Sequence, residues 1–145
     1  MENVIDRKLV LKAPLDKVWN AVGTPAGFQG WFLCTIQDGD WVEGNRLKLT
    51  WPSGSFTEII LSALRPPSEV VYQWHPGGLG GIEQYPEAEL TTVTMRLRET
   101  AEGTELHLTE SGFENIPEER RLKALGMNSA GWDEETENIR KYVEA

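Results

Sequence analysis

Two carboxylates stand where apolar side chains are expected, which makes them the first candidates for chemistry. Period-two alternation puts Glu58 on a strand face with Phe56 and Ile60, and Glu110 on one with Leu106 and Leu108. A carboxylate among apolar neighbours is costly to bury. It responds by finding donors, by holding a proton more tightly, or by staying wet. Three readings follow. Each Glu ends a strand, hydrogen-bonded or hydrated, with no ligand. Alternatively the two orient a ligand in an apolar pocket, or one is a general base of the kind a cyclase or hydrolase uses. The first is the plainest, and the last demands most of the geometry.

No other constellation competes with them. His75 and His107 lack the paired spacing of metal ligands, so a solvated or capping role is expected of both and no metal site. Gly77-Gly78-Leu79-Gly80-Gly81 has neither the strand-to-helix context nor the lysine of a phosphate-binding loop. It reads as a mobile flap over a cavity mouth. Ser111-Gly112 lacks the flanking glycine of a nucleophile elbow. Cys34, the single cysteine, follows Trp31-Phe32-Leu33 and reads as a buried, inert thiol. No catalytic residue and no cofactor is assigned.

The elements that must position the two Glu can be read in order. Residues 4–12 alternate as a strand, with Ile5, Leu9 and Leu11 on one face. Pro14 then opens a helix with Leu15, Val18, Trp19 and Val22 at helical spacing, closed by Gly23. A second short helix is expected from the cap Thr24 to Gln29, released by Gly30. From Phe32 the texture becomes a meander of short strands: Phe32–Ile36, Leu47–Trp51, Ser55–Leu64, Val70–Trp74, Thr91–Glu99 and Thr104–Ser111. Residues 76–89 hold four Gly and two Pro, too many for regular structure. The chain then becomes helical to its end. Leu122, Leu125, Ser129, Trp132, Thr136, Ile139 and Val143 form one stripe. Gly126 and Gly131 interrupt it and could mark a break or a close approach.

Strands followed by a long helix argue for an α+β fold with an antiparallel sheet. A sheet with one apolar face needs a cover, and the C-terminal stripe is the only element long enough. The inward set is then Phe56, Glu58 and Ile60; Val70, Tyr72 and Trp74; Val93, Met95 and Leu97; and Leu106, Leu108 and Glu110. Leu125, Ser129 and Trp132 face them from the helix. The ligand-binding candidates drawn from this set are Glu58, Tyr72, Trp74, Met95, Glu110, Leu125, Ser129 and Trp132. Trp74 and Trp132 are the best candidates for cavity walls.

Composition limits the partners. Six Trp, against three Tyr and four Phe, mean large internal surfaces to cover or a cavity to line. A net charge of −9 repels phosphate, which argues against nucleic acid and anionic membranes. No apolar run approaches the roughly 20 residues of a membrane span, and no signal-like h-region opens the chain, so a cytoplasmic location is expected. The 145 residues fit one domain, 1–145.

Several of these segments resemble a known family. They are the first strand running into Ala13-Pro14-Leu15-Asp16-Lys17-Val18-Trp19, the Trp31-Phe32 pair, Val71-Tyr72-Gln73-Trp74, Glu110-Ser111-Gly112-Phe113, and Gly131-Trp132 in the last helix. In order and spacing they are similar to homologues of the activator of heat-shock protein 90 ATPase, within the START-like (SRPBCC) superfamily. The resemblance implies a helix-grip fold: two short helices after the first strand, and a curved sheet of about six or seven strands around a long C-terminal helix. It also implies a cavity between sheet and helix, which in the superfamily often takes lipids, polyketides or other apolar molecules. The founding co-chaperones join this domain to an N-terminal one with a basic motif, which no segment here resembles. The expectation is therefore non-enzymatic binding of a small hydrophobic or aromatic molecule. A chaperone cofactor or regulatory module stands second, and a cyclase- or hydrolase-type enzyme third.

Overall fold

The structure, a computed structural model, describes residues 3–77 and 80–145. Part of the expected flap, Gly78 and Leu79, lies outside the described residues. Seven strands form one antiparallel sheet: β1 (Ile5–Leu11), β2 (Thr35–Gln37), β3 (Arg46–Thr50), β4 (Phe56–Arg65), β5 (Glu69–Trp74), β6 (Thr91–Thr100) and β7 (Gly103–Ser111). Their order across the sheet is β1-β7-β6-β5-β4-β3-β2, so the sheet is open, with β1 and β2 at its edges. Helices α1 (Leu15–Gly23) and α2 (Pro25–Phe32) follow β1, and α3 (Glu118–Glu144) ends the chain. This is the α+β helix-grip arrangement.

The core lies between one sheet face and the three helices. Leu47, Leu49, Ile59, Leu61, Val70, Tyr72, Val93, Met95, Leu106 and Leu108 form a single buried cluster with Val18, Val22, Phe28, Trp31, Trp132, Ile139 and Val143. The register lines these residues up in rows. Ile5 pairs with Glu110, Glu110 with Val93, Val93 with Tyr72, and Tyr72 with Leu61. Glu110 thus sits mid-row on the core face, as its alternation implies.

The alternation read for β4 is one residue out of phase. Thr57, Ile59, Leu61 and Ala63 are the buried positions, while Phe56, Glu58 and Ile60 lie on the other face. The consecutive run Ile59-Ile60-Leu61 is apolar on both parities, so period two cannot choose a face there. The cross-strand neighbour Lys48 places its ammonium 4.4 Å from the Phe56 ring centre, covering it on the outer side.

Two helical expectations also change. α2 does not stop at Gly30 but runs to Phe32, where Leu33 adopts φ 58° and ends it. α3 continues unbroken through Gly126 and Gly131, and a Cβ at either would meet open space. Its inward line is Ala124, Asn128, Trp132, Ile139 and Val143, with Leu122 exposed and Leu125 only partly buried. The expected stripe matches this from Trp132 onward and drifts off it before.

Candidate functional site

Glu110 is fully buried, and everything that touches its carboxylate donates to it. Oε1 accepts from the Trp132 indole Nε1 at 2.8 Å and from Asn128 Nδ2 at 2.9 Å. Oε2 accepts from the Trp74 indole Nε1 at 2.9 Å, from Thr91 Oγ1 at 2.5 Å and from Asn128 Nδ2 at 2.9 Å. Indole and amide N–H groups can only donate, so the group acts as an acceptor on both oxygens. Among the described residues no cation pairs with it. Asn128 is oriented from the far side, because its Oδ1 accepts from the Gly77 N–H at 2.9 Å. One carboxylate therefore ties β5, β6, β7, α3 and the start of the glycine-rich loop together.

The indoles so held are cavity walls. A partly open cleft of about 310 Å3 runs between Phe32, Trp51, Thr57, Trp74, His75, Met127 and Asn128. A second lobe of about 110 Å3 continues it past Phe32, Trp74, Gly131, Trp132 and Glu135. The rings form a continuous wall. Trp51 meets Phe32 edge-on at 5.3 Å, Phe32 lies 6.2 Å from Trp74, and Trp74 lies 6.0 Å from Trp132 with 32° between planes. The Trp51 indole donates to the Phe32 carbonyl at 3.0 Å, which fixes that end as Glu110 fixes the other.

This sheet-and-helix geometry has counterparts among known proteins. The sequence profile of the family "Activator of Hsp90 ATPase homolog 1-like protein" matches residues 12–144. The chain belongs to this family. Three solved structures show the same fold. Protein MLL2253 of Mesorhizobium loti is 22% identical, with TM-score 0.76 over 97% of this chain and 96% of that one. The Aha1 dimer of Colwellia psychrerythraea is 20% identical, with TM-score 0.75 over 97% and 96%. DynU16, a protein of the dynemicin biosynthetic locus, is 22% identical, with TM-score 0.77 over all of this chain but 48% of that one. No curated protein matches.

In this chain the expected site residues separate into three groups. Trp74, Trp132 and Glu110 come together as described. Tyr72 and Met95 are fully buried beneath the cleft rather than lining it. Glu58, Leu125 and Ser129 lie away from it. Glu58 faces the outer side of β4, where its Oε1 accepts from the Ile82 N–H at 2.8 Å and holds down the segment after the glycines. Ser129 Oγ accepts from the Arg7 guanidinium at 2.9 Å, at the β1 side of α3. His75 is buried rather than solvated, its Nε2 lying 2.7 Å from the Ile82 carbonyl oxygen. Sequence reasoning missed Asn128, Phe32, Thr57, Met127 and Glu135, and it left Trp51 out of the ligand-binding candidates. Asn128 lies one turn before Trp132, on the same helix face, but as a polar residue it gives no hydropathy signal of facing inward.

Two further groups are buried near the second lobe. Burial pushes the Cys34 thiol up to about 12, with Glu135 adding to the shift against a backbone hydrogen bond, so the thiol is inert at neutral pH. Burial likewise pushes the Tyr72 phenol well above its ordinary range, with the Glu110 carboxylate adding to it. The Tyr72 hydroxyl finds no hydrogen-bond partner among the described residues. An unpaired buried hydroxyl costs about 1–3 kcal/mol. Tyr72→Phe is therefore expected to leave stability unchanged or raise it by about 1 kcal/mol, read as a higher urea midpoint at constant m. A loss of more than that would mean the hydroxyl has an acceptor after all.

Proposed function

We propose that this protein binds a small, largely apolar molecule in the cleft between its sheet and α3, without catalysing a reaction on it. The observation that carries this reading is the wall of Phe32, Trp51, Trp74 and Trp132, whose indoles are held in place by Glu110 and the Phe32 carbonyl before any ligand arrives. Side chains already ordered lose little entropy on binding, so more of the apolar contact survives as affinity. The cleft's volume of about 310 Å3 lies at the lower end of the range for small-molecule sites.

Glu110 serves this reading through the walls rather than through the ligand. Its oxygens are already engaged by four side chains of the protein, so it has little left to offer a substrate proton. Glu58 faces the other side of the sheet. Neither supports a cyclase or hydrolase reading. A chaperone-regulating role rests on the family's name and remains the second reading.

The test uses the neutral dye N-phenylnaphthylamine, whose emission rises in apolar sites, together with native mass spectrometry of freshly purified protein. Saturable enhancement at one equivalent, with quenching of tryptophan emission, is the expected result. Absence of both dye binding and any co-purified small molecule would remove the reading.

A further inference from the structure

The second lobe of the cleft is not uniformly apolar. Phe32, Trp74 and Trp132 line it together with Glu135 of α3. One Glu135 oxygen accepts from Asn138 Nδ2 at 3.0 Å, and no cation pairs with the group among the described residues. No Lys or Arg lines either lobe. The two indoles carry a further bias. Each gives its only N–H to the Glu110 carboxylate, so neither can donate to a ligand, and donation to an anion leaves the ring richer in electrons. Tryptophan already has the most attractive face for a cation, and a carboxylate behind the ring strengthens that field.

From this arrangement we infer that the Glu135 lobe takes an organic cation of the alkylammonium or quaternary-ammonium class, with its alkyl part in the larger lobe. The inference rests on the cleft-binding reading above and names the ligand's charge. An anion would meet the Glu135 carboxylate, with Glu110 behind the indoles and, among the described residues, no Lys or Arg at either lobe. A neutral guest would cover Glu135 without compensating it, and covering an uncompensated carboxylate is unfavourable. A cation with methyl or methylene groups satisfies the rings and the carboxylate together.

The cost of holding Glu135 unpaired is visible. Burial holds its carboxyl above the ordinary carboxylate range, with Glu134 adding and the Asn138 hydrogen bond opposing. The Cys34 thiol and the Tyr72 phenol feel its charge, which adds to the upward push that burial gives them. A folded-state value raised above the unfolded one stabilises at pH below the ordinary range, and that stabilisation is lost as pH rises through the raised value. The ionised form of Glu135 therefore supports the fold less than the protonated form does. Retaining it is understandable if a bound cation neutralises it.

The test compares choline with neohexanol, its uncharged carbon isostere, by tryptophan fluorescence and calorimetry on the full chain. Choline is expected to bind about ten-fold more tightly. Glu135→Gln keeps an acceptor for Asn138 and should shrink that preference to within about two-fold, while leaving the thermal midpoint equal or higher. Glu134→Gln, an exposed neighbour, should leave the preference intact and so separates a local carboxylate from general surface charge. Equal binding of choline and neohexanol, or a preference that survives Glu135→Gln, overturns the inference. If neither probe binds while N-phenylnaphthylamine still does, the cation falls and the apolar cleft stands. If nothing binds, both fall.

Discussion

Glu110→Ala should cost about 3–5 kcal/mol of folding stability, the largest loss expected from any single polar side chain here. The substitution removes the acceptor for two indole N–H groups, one hydroxyl and one amide at once. Three of those four cannot turn away: the indoles are locked by ring packing, and Asn128 is held at its other end by Gly77. Thr91 can, because its hydroxyl also lies 3.5 Å from the Trp74 carbonyl oxygen. Glu110→Gln should therefore be milder than Ala. Its oxygen can replace Oε1 and keep Trp132 and Asn128, its amide can donate to a rotated Thr91, and the Trp74 N–H and the second contact of Asn128 are left facing a donor. The expected order of urea midpoints is parent, then Gln, then Ala, with tryptophan emission altered in both variants. A loss below about 1 kcal/mol for Ala would show that water replaces the carboxylate at little cost, and the account of a pre-set wall would fail.

How much of this was legible before the structure depends on local sequence texture. In β6 and β7, apolar residues alternate with Thr, Arg and His, so one parity is the core face, and Met95, Leu108 and Glu110 could be placed without ambiguity. In β4 both parities are apolar through Ile59-Ile60-Leu61, and Glu58 was assigned to the wrong face. The long helix was readable in extent, but its rotation was set by Leu122 and Leu125, apolar residues that the fold leaves wholly or partly in solvent. That rotation brought Ser129 inward and put Asn128 out. A polar residue that faces inward because another polar residue waits there carries no hydropathy signal. It becomes visible only once Glu110 is known to need donors and Trp132 is known to supply one. Phe32 was missed because Gly30 looked like a stop. The helix runs on past it and puts the phenyl ring between Trp51 and Trp74. Burial of Glu110 beside Trp74 and Trp132 could thus be read from alternation, and its Asn128 and Thr91 donors could not.

Filling the cleft is the second large effect expected, and it separates binding from stability. At Gly131 a Cβ meets nothing within 4 Å, and the position borders the lobe of about 110 Å3, a volume of the order of one leucine side chain. Gly131→Leu should occupy that lobe while raising helix propensity, a gain of up to about 1 kcal/mol. Thr57, buried on β4 at the floor of the larger lobe, can be replaced by Leu to intrude there. Some overpacking cost is expected, offset in part by the helix gain. The double variant should stay within about 1 kcal/mol of the parent in stability, yet lose at least about ten-fold in affinity for N-phenylnaphthylamine, a change of about 1.4 kcal/mol in binding. The single variants then assign the lobes. Gly131→Leu should act chiefly on choline, which the Glu135 end is argued to hold, and Thr57→Leu chiefly on the dye. A folded double variant that binds the dye as tightly as the parent would place the dye elsewhere on the molecule, because both lobes between the sheet and α3 are narrowed in it.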